Sequence, residues 1–273
     1  MIYCLFLIYE PVNLEKSLLR LHRFLTSSGK KAKILIINNG EQLHSSSLNN
    51  IEFIPGDNRY FEFSGWQAGK QYLEKNYTLQ DGDLFCFAND TFDKNHYFSR
   101  LTAWLYNLKS EQAAKRQRGF ILGRVDSRNI EYRVDKLPLS KWISSYFFVL
   151  DYTAFQALVF LNTRLCSAVK EVTDESIYFD KTVVDTPMQE HINSWLRPTG
   201  IGWYRAHSSD NDVIRNKSVA ILHEKYLSAV LMAKNVELIH VYSGRIGRIV
   251  HKFDKRIQRY RLRYRKSSET SGS

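Results

Sequence analysis

The chain of 273 residues is 44% hydrophobic and 14% aromatic, which is enough for a packed core and excludes a wholly disordered protein. Its three cysteines, Cys4, Cys86 and Cys166, are too few and too scattered for a disulfide framework or a zinc cluster, and they indicate a reducing compartment. The net charge of +11 is uneven, because ten Lys or Arg residues and only two acids lie between Arg245 and Ser273.

Predicted strands and helices alternate in the first hundred residues. The strands are predicted over 2–9, 33–37, 51–54 and 84–88, and helices are predicted after Asn13 and over 64–76. This alternation predicts an α/β fold with a doubly wound, mostly parallel sheet flanked by helices. The opening apolar run ends at Glu10-Pro11, so we expect a core strand there and neither a signal peptide nor a membrane span.

The second half has a less regular pattern. Strands are predicted over 119–125 and 143–150, and helices over 104–115, 151–161, 187–197 and 217–234. We expect one domain over residues 1–240 and a basic amphipathic tail over 241–273, disordered from Lys266.

Polar residues follow each of the first four predicted strands. The four segments are Glu10-Pro11, Asn38-Asn39-Gly40, Asp57-Asn58 and Asn89-Asp90-Thr91. Such residues are common turn formers. However, ligands of open parallel α/β sheets bind beyond the carboxyl ends of the strands, and four polar ends in succession favour a ligand site.

Several short segments occur in an order that is similar to the order found in a known protein family. These are Pro11-Val12-Asn13 before a Leu-rich helix, Asn38-Asn39-Gly40, Asn58 before the Gly-containing helix at 64–69, and Asn89-Asp90-Thr91. In this order residues 1–100 resemble the nucleotide-binding half of bacterial GT-A-fold glycosyltransferases of the family-2-like kind, and residues 119–196 do so more weakly. The family usually has two acids before the Gly of the second segment, and Asp-x-Asp where Asn89-Asp90-Thr91 stands.

The resemblance implies a GT-A-like fold and transfer of a sugar, with inversion, from a nucleotide-sugar donor to a lipid-linked glycan. The implied setting is bacterial surface-polysaccharide assembly, such as O-antigen or capsule, with a UDP-sugar as the favoured donor. It also implies a divalent cation, Mn²⁺ or Mg²⁺, to stabilise the charge that develops on the departing diphosphate. Asp90 is the expected metal ligand, Asp93 could replace the missing first acid, and His207 could complete the metal shell.

The resemblance also implies positions for substrate contacts and for a general base. Substrate binding is expected at Tyr9, Glu10, Asn39, Asp57, Trp66 and Asn89, although Trp66 could equally be a core tryptophan. Thr186 is predicted to cap a helix that begins at Pro187, with Gln189 completing a capping box. Glu190, in the opening turns of that helix, is the expected base, and Asp185 is its competitor.

The tail has a helical pattern. From Ile246 onward, apolar residues recur every three or four positions and basic residues surround them. This pattern favours a membrane-surface anchor on anionic lipid over a nucleic-acid contact or a partner-docking helix. We therefore expect a cytoplasmic protein, peripheral on the inner face of the membrane, and no nucleic-acid partner.

Two other function classes remain open on the sequence alone. A nucleotidyltransferase would use a similar sheet and metal, but no Gly-rich basic loop follows the first strand. A non-enzymatic protein that binds nucleic acid or a partner through its tail would leave the polar strand ends unexplained.

Overall fold

The computed structural model describes residues 1–10, 12, 14–40, 51–93, 97–197 and 210–270, with side chains described as far as residue 261. It is an α/β fold of the Rossmann-like type, with helices on both faces of a mostly parallel seven-stranded sheet. The strands are β1 (Ile2–Ile8), β2 (Ala32–Asn38), β3 (Ile51–Pro55), β4 (Leu84–Asn89), β5 (Phe120–Val134), β6 (Leu137–Asp151), β7 (Val169–Val172), β8 (Ile177–Phe179) and β9 (Glu237–His240). The helices are α1 (Leu14–Ser27), α2 (Glu62–Asn76), α3 (Arg100–Ala114), α4 (Tyr152–Ala157), α5 (Thr163–Cys166), α6 (Thr186–Leu196), α7 (Asn211–Ala233) and α8 (Gly244–Thr270).

The strand order in the large sheet is β3-β2-β1-β4-β6-β5-β9, and β7 and β8 form a separate small sheet. β1 to β4 are mutually parallel, as predicted, and β5 and β9 are also paired in parallel. β6 runs antiparallel to both of its neighbours. The prediction of a mostly parallel sheet is therefore confirmed, and β6 is the antiparallel strand within it.

The antiparallel strand arises from a β5–β6 hairpin that the sequence analysis missed. Its turn residues, Asp135 and Lys136, both have positive φ, 47° and 69°, as a two-residue type I′ turn requires. Ala88, near the end of β4, pairs with Phe147 of β6, so the outer part of the hairpin extends beyond the carboxyl ends of the parallel strands.

Apolar side chains form a core on each face of the large sheet and a third cluster around the outer hairpin. α1, α3 and the start of α8 cover one face, and α2, α4 and α7 cover the other. The third cluster joins the outer hairpin to α6 and to part of α7. The carboxyl edge of β1, β2 and β4 is thereby flanked by the hairpin and its helices.

The basic tail is a helix that packs against the body. Val250 and Asp254 of α8 are buried, and Thr102 of α3 donates a hydrogen bond to the Asp254 carboxylate. Arg261 pairs with the buried Asp93 at 3.3 Å. The helix continues to Thr270, beyond Lys266, where the sequence predicted disorder.

No helix in the part of the chain that the structure describes is long and apolar enough to cross a bilayer.

Candidate ligand site at the carboxyl edge of the sheet

Asp90 connects the ends of β1 and β4. Its Oδ2 accepts hydrogen bonds from the backbone N–H groups of Tyr9 at 3.1 Å and Glu10 at 2.8 Å. Its carbonyl oxygen accepts one from the Ser17 hydroxyl of α1 at 3.1 Å. The side chain is only 2% exposed, so a cation could bind to it only after the carboxylate became uncovered. Asp90 therefore has a structural role that the sequence analysis did not predict.

Asn39 holds the loop between β3 and α2. Its Nδ2 donates to the carbonyl oxygen of Phe61 at 2.9 Å. Phe61 has a φ of 52°, a conformation that bulky residues adopt rarely and at a cost in free energy. Asn58 also has a positive φ, 50°, so strained backbone is concentrated in this loop beside the predicted site.

The other amide atom of Asn39 lies close to two glycines. Asn39 Oδ1 is buried without a hydrogen-bond partner among the described residues. A Cβ atom on Gly56 would lie 1.8 Å from this oxygen, and one on Gly65 would lie 3.0 Å from it. Gly56 is therefore required for the Asn39 side chain to occupy its position. An unsatisfied acceptor at this edge could receive a hydrogen bond from a ligand donor.

A chain of polar contacts crosses from β1 to α7. The Tyr9 hydroxyl donates to Glu62 at 3.3 Å, and the Ser145 hydroxyl donates to the other oxygen of Glu62 at 2.7 Å. Ser145 N donates to Glu224 at 2.9 Å, and Glu224 pairs with Lys225 at 2.5 Å. This chain brings the predicted residue Tyr9 together with four polar residues that were not predicted.

The pKa values along this series of polar contacts follow from burial and from the ion pair between Glu224 and Lys225. Burial and then the neighbouring Glu62 raise the pKa of Tyr9 well above its usual value, so its hydroxyl remains a donor. Burial alone would raise the pKa of Glu224, but Lys225 and the Ser145 hydrogen bonds lower it overall. Lys225 also lies 3.9 Å from the centre of the Trp142 ring, where a cation–π contact stabilises its charge.

Three other predicted contacts have simpler environments. Trp66 is 0% exposed and packs edge-on against Phe87 and Phe148, so it is a core residue and the predicted ligand contact is wrong. Asp57 is exposed and accepts from Arg59 N at 3.0 Å. Asn89 is buried and accepts from Thr91 N at 3.2 Å, as residues at a strand end often do in a turn.

The additional acids expected at a metal site are not available in the described part. Asp93 is 4% exposed and pairs with Arg20 and Arg261, so it does not replace the missing first acid beside Asp90. His207 lies outside the described residues. Within the described residues, no three His, Cys, Asp or Glu side chains are arranged to hold a metal ion. Asp90 could thus serve as one carboxylate ligand, with the other oxygens supplied by a bound ligand.

The two candidates for the general base occupy different positions on α6. Asp185, and not Thr186, caps the helix: its Oδ1 accepts from Met188 N at 3.0 Å and its Oδ2 from Arg133 N at 2.8 Å. Gln189 donates to the carbonyl oxygen of Val184 and does not complete a capping box. Glu190 is exposed on α6, which packs on the outer hairpin. Among the described residues, no hydrogen bond joins Glu190 to the chain that runs from Tyr9 to Lys225.

The four polar residues that sequence reasoning missed are Glu62, Ser145, Glu224 and Lys225. Glu62 was missed because the helix was predicted to begin at Ser64, two residues too late. Glu224 and Lys225 resemble an ordinary solvated pair, yet α7 is apolar around much of its circumference. That unusual pattern could have indicated that charged side chains on this helix are buried and partnered.

No protein-family model matches the sequence, and no curated protein sequence shows significant similarity to it.

Proposed function

We propose that this protein is a GT-A-like glycosyltransferase that moves a sugar from a nucleotide-sugar donor, with a UDP-sugar favoured, to a lipid-linked glycan in bacterial surface-polysaccharide assembly. The observation that carries the proposal is the convergence of Asp90, Asn39 and Tyr9 at the carboxyl edge of a parallel sheet. Nucleotides typically bind at that edge in folds of this type. The family resemblance of residues 1–100 supplies the choice of reaction.

The proposed roles of Asn39 and Asp90 rest on their places at this edge, and that of Glu190 rests on the family resemblance. Asn39 contacts the nucleoside, because an amide can supply both a donor and an acceptor to a ring edge. Asp90, once its carboxylate is uncovered, would hold a divalent cation, Mn²⁺ or Mg²⁺, and the cation would supply stabilisation of the negative charge on the departing diphosphate. Glu190 takes the proton from the acceptor hydroxyl.

The proposed location is the inner face of the cell membrane, with the basic helix α8 on anionic lipid. Ile246, Ile249, Phe253 and Tyr260 of this helix are exposed although apolar, and basic residues flank them. An apolar stripe beside cationic residues is the pattern that binds an anionic membrane surface.

The test is UDP binding with and without Mn²⁺ in the wild type, Asp90→Asn and a control, Asp93→Asn. Asparagine can still accept the hydrogen bonds from Tyr9 N and Glu10 N, so Asp90→Asn should fold. We expect it to lose the Mn²⁺-dependent part of UDP affinity, about tenfold or more if one charged contact is removed. Asp93→Asn should change stability through its arginine pairs but leave the Mn²⁺ dependence intact.

Two results would contradict parts of the proposal. If Asp90→Asn retains the full Mn²⁺ dependence, then Asp90 is not the metal ligand. If no nucleoside diphosphate binds and a screen of nucleotide sugars shows no donor hydrolysis, then the transferase assignment is wrong. Turnover of nucleoside triphosphates in the same screen would favour a nucleotidyltransferase.

A further inference from the structure

A second cavity, separate from the Asn39 and Asp90 site, lies beneath α8. It has a volume of about 260 Å³ and is lined by Tyr97, Arg124, Tyr146, Tyr242, His251, Asp254, Lys255, Gln258 and Arg259. Pockets for larger organic ligands typically have volumes of about 300 to 1,000 Å³. The cavity is therefore of a size that suits a small polar group.

Three cations line this cavity, against one carboxylate. Lys255 and Arg259 are one turn apart on α8, where like charges repel each other. Arg124 reaches the cavity from β5 and also pairs with Asp126 at 3.4 Å. The single lining carboxylate, Asp254, is buried and accepts from Thr102. The arrangement leaves an excess of positive charge that an anion would neutralise.

Tyr242 and His251 belong to the polar lining, and the Tyr242 hydroxyl donates to Thr102 Oγ1 at 3.3 Å because Thr102 donates its own proton to Asp254. Burial raises the pKa of Tyr242 to about 12, so its hydroxyl stays protonated. The His251 ring packs 4.4 Å from the Tyr242 ring. Burial, followed by the charges of Lys255 and Arg124, lowers the pKa of His251 to about 4. Burial is the main cause of this low pKa and the neighbouring cations add to it, so a bound anion would raise the pKa of His251.

We propose that the cavity between α8 and the β5–β6 hairpin is a binding site for a phosphate or diphosphate group. Arg124, Lys255 and Arg259 hold the anion by charge-assisted hydrogen bonds. The group can come from a phospholipid headgroup or from a free phosphorylated molecule, because both present the same oxygens. This site does not depend on the glycosyltransferase assignment, since none of its residues belongs to the site around Asp90.

The first experiment measures pyrophosphate binding by calorimetry in the full-length protein. The double variant Lys255→Ala/Arg259→Ala removes two cavity cations, and Lys252→Ala/Arg256→Ala removes two exposed cations of the same helix that do not line the cavity. We expect the cavity variant to lose about tenfold or more in affinity and the control to change little. Equal losses in both variants would show a general effect of charge and would overturn the proposal.

The second experiment observes the His251 imidazole by NMR, because this ring lines the cavity and its pKa responds to charge there. Pyrophosphate should raise the pKa of His251 in the wild type and in the control variant, and less so in the cavity variant. His223, which is buried in a different cluster, should not respond. If neither pyrophosphate nor short-chain phosphatidate changes the pKa of His251, the proposal is wrong.

The source of the phosphate group follows from which anion acts on His251. If the site takes a lipid headgroup, short-chain phosphatidate should shift His251 at lower concentration than pyrophosphate does. Pyrophosphate should then also compete with vesicles of phosphatidylcholine containing phosphatidate. If the site takes a free phosphorylated molecule, pyrophosphate should act at the lower concentration and the vesicles should not compete. Either result supports a phosphate site.

Discussion

The two ends of the Asn39 amide have different neighbours: Nδ2 donates a hydrogen bond to the strained loop before α2, and Oδ1 lies against Gly56. The Nδ2 contact fixes the carbonyl oxygen of Phe61, whereas Oδ1 occupies the space where a side chain at Gly56 would lie. The two residues are therefore energetically coupled, although they come from different strand ends.

Gly56→Ala is expected to destabilise the protein by about 1 to 3 kcal/mol, because the added methyl group must displace the Asn39 amide. In an Asn39→Ala background the same change should cost less, since the clashing oxygen is gone. Urea unfolding of the four proteins in this double-mutant cycle measures the coupling, expected to be of the order of 1 kcal/mol. The same cost in both backgrounds would contradict the clash.

His223 should make the protein less stable in acid. It is 0% exposed, its Nδ1 lies 2.8 Å from the carbonyl oxygen of Val219, and its Nε2 accepts from Asn162 N at 3.1 Å. This environment holds the neutral ring, and burial lowers its pKa to about 4 from 6.5. The stabilisation is complete above pH 6.5 and is lost as the pH falls towards 4, by about 3 kcal/mol.

The measurement is the free energy of unfolding against pH for the wild type, His223→Gln and His22→Gln. Glutamine retains a donor and an acceptor but does not titrate, so His223→Gln should reduce the decline between pH 6.5 and pH 4 by about 3 kcal/mol. His191 and His251, whose pKa values burial also lowers to about 4, should contribute the rest. His22 is exposed on α1 and serves as the control. A decline of unchanged size in His223→Gln would show that other groups cause it.

Glu190→Gln should lower turnover by about two orders of magnitude or more and leave donor binding unchanged, if Glu190 is the base. Asp185→Asn removes one acceptor from Arg133 N and should cost about 1 kcal/mol of stability, with turnover changed little. Steady-state rates and thermal unfolding of both variants separate the two roles. A large loss of turnover in Asp185→Asn, with a mild one in Glu190→Gln, would reverse the assignment.

At the scale of elements, the sequence predicted regular, amphipathic segments well. The four parallel strands of the first half were predicted within a few residues, because each is a short, mostly apolar run between turn formers. The β5–β6 hairpin was not predicted, although strands were predicted over 119–125 and 143–150, because Val134-Asp135-Lys136-Leu137 lacks the Asn-Gly or Asp-Gly signal of a type I′ turn. Here tertiary contacts support the turn: Asp135 pairs with Arg164 at 2.5 Å.

Helix α8 has one buried side and one exposed apolar stripe. Deletion from Arg245 onward would remove the buried side chains of Val250 and Asp254 and should therefore destabilise the body. Substitutions on the exposed stripe test membrane binding without that effect.

Phe253 and Ile257 also line a mostly apolar groove of about 750 Å³. Leu101 of α3 lines the same groove, as do Arg23 and Arg100.

Ile249→Ser/Phe253→Ser should release the protein from vesicles of phosphatidylcholine and phosphatidylglycerol at high salt, where the basic residues are screened. At low salt part of the binding should remain, because the positive charge of α8 is unchanged. Ile130→Ser/Tyr178→Ser, which also removes two exposed apolar side chains, is the control. Co-sedimentation measures both conditions. The membrane assignment is wrong if the wild type does not bind these vesicles but shifts the gel mobility of an RNA or DNA probe at physiological salt.

Across the whole molecule, the sequence predicted the sheet edge at which the polar residues meet, but it did not predict the contacts between these residues. Asn39, Asp90 and Tyr9 were found because each follows a recognisable strand. Glu62, Ser145 and Glu224 were not, since the contacts among them join segments more than 70 residues apart. The burial of Asp93 beneath two arginines could not be predicted either, because Arg261 is 168 residues away along the chain.

The order of the strands also sets the order in which the protein can fold during its synthesis. β1 lies between β2 and β4, and β4 lies between β1 and β6, whose Asp151 pairs with Leu84. β1 therefore has both neighbours once the ribosome has completed Asn89, whereas β4 lacks its second neighbour until synthesis reaches Asp151. Until then, the apolar edge of β4 is exposed to other nascent chains, and unpaired strand edges are prone to aggregation. We therefore expect slow, chaperone-assisted production to raise the soluble yield.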